Sequence, residues 1–496
     1  MSAEQNAGPT TGLTVIVLAA GGGTRMKSKT MKVLHPIGGR SMIGHVLVAA
    51  QALDPDRVVA VVGHQREAVG AHIHASFPDV VLAVQDEQHG TGHAVRMAVE
   101  AAAQDGRSVS GTVVVAYGDT PLLRGDSLRD FAAEHEAAQR AVSILSGIVP
   151  DPFGYGRVLR NDEGDVEAIV EEKDATAEQR EVREINSGIL AFDAEFLRSA
   201  LPRIGNDNAK GEYYLTDTIA IAREDGLTVG AYPIDDVMQT EGVNDRVQLA
   251  RIGAELNRRI VEGWMREGVT VVDPATTWID SDVVLGADVT ILPGTQLLGA
   301  TVVAEDAVIG PDTTLKDCEI GSAATVVRTQ GVLAVVGSEA IVGPFSYLRP
   351  GTVLGVRGKI GGFVETKNAV IGDGAKVPHL SYVGDAEIGE GTNIGAGTIF
   401  ANYDGIAKHR TKVGKHARTS SNNTFVAPVE IGDGAATGAG TVVRQDVPPG
   451  ALAVSMGPQR NIEEWALRKR PGTAQAGAAE IALGGRRDGD QGMAES

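Results

Sequence analysis

The sequence predicts two folded parts in series, a three-layer α/β domain with a mainly parallel sheet and then a parallel β-helix. Three observations carry that prediction. Between residues 13 and 242 short aliphatic runs alternate with helical patterns, the mark of strand–helix–strand units. Leu249, Ile252, Leu256, Ile260 and Trp264 then fall on one face of a long amphipathic helix able to join two parts. From about 284 to 443 an aliphatic or other bulky residue returns at every sixth place. Only a coil of short strands with a turn after each puts one residue in six inward over that length.

Composition sets outer limits. A chain of 496 residues exceeds one compact core, so two or three domains are expected. Hydrophobic content of 43% and charged content of 22% are ordinary for a soluble protein. No apolar run approaches the roughly 18 residues of a membrane span, and no basic-then-apolar leader opens the chain. The net charge of −19 argues against a nucleic-acid partner, which needs a basic face, while local Arg and Lys leave anionic small substrates open. The single cysteine, Cys318, has no partner for an internal disulfide and fits a reducing, cytoplasmic setting. Residues 1–12 are small and polar and 471–496 are Gly, Ala and charge, so both ends are expected to lack order. The expected boundaries are 13–243 for the α/β domain, 244–268 for the linker helix and 269–470 for the β-helix with its C-terminal segment.

In the α/β part, 15–19, 58–62, 80–84 and 112–116 read as buried strands. Residues 41–53 read as a helix with Met42, Ile43, Val46, Leu47, Ala50 and Leu53 on one face. Ligands of such sheets lie at the C-terminal ends of strands. The first loop there is LAAGGGTRM, residues 18–26, followed by Lys32. Its glycines let the backbone approach a ligand and turn N–H groups toward an anion, and Arg25 and Lys32 add positive charge. No Gly-Lys-Ser/Thr follows and the dinucleotide spacing is absent. The run L-x-x-G-x-G-T-R-M with K-V-L-H resembles the sugar-nucleotidyltransferase signature, with Met31 where that family usually has Pro.

That resemblance implies site residues segment by segment. Leu18, Ala19, Ala20, Gly21, Arg25 and Lys32 would bind substrate, Arg25 and Lys32 holding the triphosphate. Gln85, with Gly90 and Thr91 of HGTGHAV, would read uracil and hold the nucleotide. Asp119 of YGDTPLL, otherwise a turn or helix cap, would be a Mg²⁺ ligand. Gly156 of GYGRV, Glu171 of IVEEKDA and Asn186 of EINSGI would contact N-acetylglucosamine. Sugar hydroxyls need a carboxylate acceptor and an amide that both donates and accepts. Asn244 of GVNDR would be a substrate contact and the second Mg²⁺ ligand, a neutral oxygen donor of the kind Mg²⁺ takes beside one carboxylate and substrate phosphates.

The six-residue beat passes through Leu285, Ile291, Leu297, Val303, Ile309 and Leu315, then Val336, Val342, Leu348, Leu354 and Ile360, then Val413, Thr419, Phe425, Ile431, Thr437 and Val443. A flexible Gly-rich linker has no reason to hold phase across three runs. Breaks at 328–335 and 400–412 are expected to be loops. Departures from the repeat cluster in YLRPGT, VETKN, VPHLSYVGDAEIG and IFANYDG. Arg349 and Lys367 can bind a phosphate, an imidazole such as His379 suits a general base, and Asn393 or Asn402 could orient it. Alone, His379 after Pro378 would read as a packing residue at a corner.

These segments resemble the acetyltransferase half of the bifunctional N-acetylglucosamine-1-phosphate uridylyltransferase / glucosamine-1-phosphate N-acetyltransferase family, and the resemblance runs from residue 18 to about 465. It implies a left-handed β-helix, a homotrimer and acetyl-coenzyme A as donor. Sugar phosphate would lie on Arg349, Lys367, Tyr382, Asn393, Asn402 and Tyr403, with His379 as base and coenzyme A along Ala396, Ser421 and Ala439. Met456 stands where many members place an arginine, with Arg460 and Lys469 nearby. The implied enzyme acetylates glucosamine 1-phosphate, then couples N-acetylglucosamine 1-phosphate to UTP, supplying cell-wall peptidoglycan and lipopolysaccharide-type precursors. Two rivals fit less well. A sugar-1-phosphate adenylyl- or guanylyltransferase with a purely structural β-helix gives no reason for Arg349, Lys367, His379 and Tyr382, and a non-catalytic scaffold predicts loss of Asp119 or Arg25.

Overall fold

The computed structural model describes residues 12–105, 108–208, 211–455, 457 and 459–491; residues 1–11 and Met456 lie outside the described residues. The chain divides into two compact units, one ending at Arg357 and the other beginning at Gly358.

In the first unit, strands Leu13–Leu18, Arg57–Val62, Val81–Val84 and Thr112–Tyr117 are parallel neighbours, within two residues of their expected positions. Their side chains alternate between two cores: Ile16, Val113 and Val115 on one face, Val15, Val17 and Val114 on the other. Helices on both faces of a parallel sheet require such doubly buried strands. Beyond Thr112–Tyr117 the sheet continues through Glu184–Asp193, which runs antiparallel, to Val142–Ile148 and Val229–Pro233. The sheet is therefore mixed, mostly parallel. A ribbon of Arg157–Arg160 and Val166–Val170 joins it at the Ile185–Arg157 pair. The helix expected at 41–53 is Met42–Gln51, capped by Ser41 Oγ accepting from Gly44 N at 3.1 Å.

The linker helix is Arg246–Arg266, started by Asp245, which accepts from the amides of Val247 and Gln248. Asn257 ties it to the first coil: its Nδ2 donates to Thr277 O at 2.8 Å and its Oδ1 accepts from Ile279 N at 2.9 Å. From Thr270–Val271 to Val353–Leu354 short parallel strands stack in register, Val284 on Val302 and Val335 on Val353. Every six-residue position named above in this unit is buried.

The break at 328–335 is not a loop. Strand Thr329–Val332 continues the ladder, pairing Gly331 with Leu315 on one side and Leu348 on the other. The beat is lost because this coil is short and carries glycine at the inward place. A Cβ on Gly331 would lie 2.8 Å from Leu315 Cδ2, so the aliphatic neighbours already fill that space.

In the second unit Lys359–Gly362 pairs with Lys376–His379, and Glu365–Ile371 with Tyr382–Ile388. Parallel strands then follow to Val442–Val443. In each unit the coils are consistent with a left-handed β-helix. The second break is a loop: Ile399 pairs with Thr424 while 402–410 lie outside the ladder of strands. Phe400 and Phe425 fill the interior edge to face, centroids 5.0 Å apart. After 471, where composition gave no order, helix Ala474–Gln491 forms; its alanines favour helix even though residues 477–484 are half-buried or exposed. Among the described residues no helix is long and apolar enough to cross a membrane.

Candidate active sites

Strand Leu13–Leu18 carries the Gly-rich loop to the C-terminal edge of the sheet, where Ala19 N donates to Val61 O and Gly118 N to Leu18 O, both at 2.9 Å. The loop root is thus held by both neighbouring strands. Side chains at Gly21 or Gly22 would meet nothing, whereas Gly23 has φ +59° and a Cβ there would strike Lys32 Cβ at 2.5 Å. That close approach lets Lys32 cross the loop. Lys32 Nζ pairs with Asp119 Oδ2, and Arg25 Nη2 donates to Asn244 Oδ1 at 2.8 Å.

Four residues expected to act together therefore meet from separate segments. Val243 N donates to Asp119 O at 2.9 Å, and Asn244 N to Gln248 Oε1 at 2.7 Å, so the first turn of the linker helix holds Asn244 beside Asp119. One carboxylate and one amide oxygen fit Mg²⁺, which keeps waters and substrate phosphates as its other ligands. Among the described residues no group of three or more His, Cys, Asp or Glu is placed to hold an ion by itself.

Gln85, just past strand Val81–Val84, is 4% exposed. Its Nε2 donates to Gly90 O at 3.0 Å and meets His93 Nδ1 at 3.2 Å. Thr91 Oγ1 accepts from Leu215 N at 3.0 Å, and Gly90, at φ +100°, has Tyr213 O 2.5 Å from where a Cβ would stand. On the sugar side, Asn186 N donates to Gly156 O at 2.8 Å, and Glu171 Oε1 lies 3.3 Å from the place of a Gly156 Cβ. Tyr117 feels charge from both segments: burial first, then the charges of Asp119 and Glu171, push its phenol up to about 12.

Some site residues escaped the sequence reading. A cleft of ≈ 900 Å³ is lined by Gly22, Thr24, Gln85 and Gln88, and also by Gly63, His64 and Arg66. The signal was present, since G-H-Q-R directly follows the strand Arg57–Val62. Arg157 gave no signal. Its guanidinium is buried, Nη2 pairing with Glu172 Oε2 at 2.6 Å and Nη1 donating to Tyr155 O. Glu172 also accepts from Gly154 N at 3.3 Å. The pair braces the turn that carries Gly156 against the segment that carries Glu171.

The second constellation follows one edge of the coil. His379 ends strand Lys376–His379, is exposed, and its ring makes no hydrogen bond among the described residues. Its carbonyl accepts from Gly397 N at 3.2 Å, Ala396 O accepts from Asn422 N at 2.7 Å, and Ser421 O from Gly440 N at 2.9 Å. The corners holding His379, Ala396, Ser421 and Ala439 therefore stack in line.

Tyr382 and Asn402 meet at Asp385. Asn402 Nδ2 donates to Asp385 Oδ2 and lies 3.5 Å from Tyr382 Oη, while Asn368 Nδ2 donates to Asp385 Oδ1 at 2.7 Å. Burial opposes ionisation of Asp385, but those two hydrogen bonds and the charges of Lys367 and Lys408 hold its carboxyl below the usual range. Asp385 sits inside SYVGDAEIG and was not singled out. Neither amide proposed to orient His379 bonds to it: Asn402 engages Asp385, and Asn393 lies in the ladder between Lys376 and Arg418. Tyr403 is 60% exposed on the loop 402–410. That loop is braced by Asp404, which accepts from Ile406 N, Ala407 N and His409 Nε2 at 2.7–2.8 Å. Arg349 follows strand Ser346–Leu348 in the first unit. Arg460 is exposed and Lys469 ends helix Trp465–Lys469.

A family model described as a MobA-like NTP transferase domain matches residues 15–181. "Bifunctional protein GlmU" of Pseudarthrobacter chlorophenolicus is 57% identical over 479 residues, covering 97% of this chain and 96% of that protein. The protein of the same name from Rhodococcus jostii is 59% identical over 475 residues, covering 94% of each chain. That from Paenarthrobacter aurescens is 57% identical over 468 residues, again covering 94% of each.

Proposed function

The chain belongs to the bifunctional GlmU family, and from that premise we infer a two-step enzyme that acetylates glucosamine 1-phosphate with acetyl-coenzyme A and then joins the product to UTP, releasing pyrophosphate. The uridylyl step falls to residues 13–243 and the acetyl step to 269–470. The observation that carries the reading is the paired set Lys32–Asp119 and Arg25–Asn244 at the mouth of the Gly-rich loop.

In uridylyl transfer a phosphate oxygen of N-acetylglucosamine 1-phosphate attacks the α-phosphorus of UTP in line, and the bond to the β-phosphate breaks. Arg25 and Lys32 exchange their present partners for phosphate oxygens, and Gln85, Gly90 and Thr91 seat the base. Gly156, Glu171 and Asn186 orient the sugar. Asp119 and Asn244 would hold Mg²⁺, which when bound supplies positive charge at the phosphates. No protein nucleophile is needed.

In acetyl transfer His379 takes a proton from the amine, nitrogen bonds to the acetyl carbon, the carbon–sulfur bond breaks, and the sulfur of coenzyme A leaves as the thiol by taking that proton from His379. The exposed imidazole, with no bond to surrender among the described residues, supports that role. Arg349, Lys367, Tyr382, Asn393, Asn402 and Tyr403 would hold the sugar phosphate, and Ala396, Ser421 and Ala439 the coenzyme. A homotrimer is supported by an apolar stripe in the first unit, where Val284 and Val302, 52% and 41% exposed, stand in register. Cytoplasmic placement is supported by Cys318 as a buried free thiol. The test is purified protein with glucosamine 1-phosphate, acetyl-coenzyme A, UTP and Mg²⁺, following thiol and pyrophosphate separately. Release of neither overturns the reading.

A further inference from the structure

We propose that His93 is a positioning residue that sets nucleobase specificity by locking the Gln85 amide with its carbonyl oxygen turned to the base. The proposal rests on the UTP reading above. Gln85 lines the cleft, and both hydrogens of its Nε2 are engaged, one by Gly90 O at 3.0 Å and one by His93 Nδ1 at 3.2 Å. The Gly90 contact decides which end of the amide is nitrogen, since two oxygens facing each other would repel. An amide nitrogen cannot accept, so His93 Nδ1 must. The imidazole is therefore neutral, with its proton on Nε2.

The surroundings keep it so. The rings of His93 and His89 pack with centroids 5.3 Å apart. Burial first, then the charges of Arg96 and His89, hold His93 below the ordinary imidazole range, against a backbone hydrogen bond to Glu87 and the charge of Glu100. Gln85 Oε1 accepts no hydrogen bond among the described residues, so it is the group left for a ligand. Uracil offers that oxygen its N3–H. Cytosine offers an N3 lone pair at the same place, setting acceptor against acceptor. Without the His93 acceptor one of the two bonds that fix the amide is lost, and a turned amide can donate to cytosine.

The experiment measures kcat/KM for UTP and for CTP by pyrophosphate release in the full chain, in His93→Phe, which has no acceptor, and in His93→Asn, whose Oδ1 overlies the lost Nδ1. The UTP-to-CTP ratio should fall about tenfold in His93→Phe, mostly through KM, the scale of one hydrogen bond to a substrate. His93→Asn should stay within about threefold of wild type. A folded His93→Phe with an unchanged ratio overturns the proposal. Nitrogen NMR of wild-type imidazoles gives a result independent of any variant's folding: a His93 Nδ1 that carries the proton at neutral pH overturns it too. A wild type that releases no pyrophosphate from UTP overturns the reading of the site and the proposal with it, whereas preference for UTP that survives His93→Phe overturns the proposal alone.

Discussion

The candidate site on the α/β sheet ties its side chains to one another, and the candidate site on the coil edge leaves His379 untied among the described residues. Lys32 holds Asp119, Arg25 holds Asn244 and His93 holds Gln85, while His379 ends a strand with its ring unbonded among the described residues. The difference follows from architecture. In the α/β sheet several loops converge on one edge, so side chains from distant segments can meet before any ligand arrives. A coil presents each corner to the corner above and below, and a side chain on it points outward with few neighbours. A phosphate taken up by Arg25 or Lys32 would displace a bond already made, whereas the His379 ring has none to give up among the described residues.

The sharpest way to break that contrast is His379→Ala. Acetyl transfer should fall by about 10²- to 10⁴-fold, the range for losing a positioned base, with uridylyl transfer from supplied N-acetylglucosamine 1-phosphate intact. Near wild-type thiol release between about pH 6 and 9 would make His379 a packing residue. Asp119→Ala comes next. It removes the partner of Lys32 and should cut pyrophosphate release about 10²- to 10³-fold while thiol release continues; equal loss of both in folded protein would contradict separate sites.

Smaller effects test the bracing. Glu172→Gln leaves the buried guanidinium of Arg157 without its ionised partner and should lower the midpoint of denaturant unfolding. It should also raise KM for N-acetylglucosamine 1-phosphate several-fold, and an unchanged midpoint with unchanged KM would show that the pair braces nothing. The last prediction concerns pH. His135 is 2% exposed, its Nδ1 2.9 Å from Ser143 Oγ. Burial first, with Arg140 helping and Asp193 opposing, lowers its pKa from 6.5 to about 4. The folded form resists a proton that the unfolded chain accepts. Stability is thus complete above about pH 6.5 and declines by at most about 3 kcal/mol as pH falls to about 4. His135→Gln should flatten that decline, and a variant with the wild-type slope would assign the acid sensitivity to other groups.

Much of this was legible beforehand, and the residues say why. Inward positions such as Leu297, Val342 and Phe425 announce themselves because a coil repeats one environment at a fixed interval. Asp119, Arg25 and Asn244 were legible through motif and strand end. The direction of Glu184–Asp193 was not, since buried apolar residues read alike in parallel and antiparallel strands. Gly331 misled because glycine at an inward place looks like a turn. Arg157 and Asp385 were invisible because their roles depend on partners brought near by folding. Ala396, Ser421 and Ala439 carry no side-chain chemistry and were named through the resemblance alone, and the stacking of their corners gives them a common edge.

The loop 402–410 has a further consequence. Phe400 sits in register on Phe425, although Val284 meets its neighbour Val302 after a much shorter stretch of chain. Extra residues have been spliced into one corner and the interior stack does not record them. Because each turn leans only on the next, length can be added or removed locally without re-solving the whole core. The fold therefore behaves as a rack with interchangeable fittings. New surface chemistry can be installed one rung at a time, and a graft at this corner should cost little more than the entropy of closing the added loop.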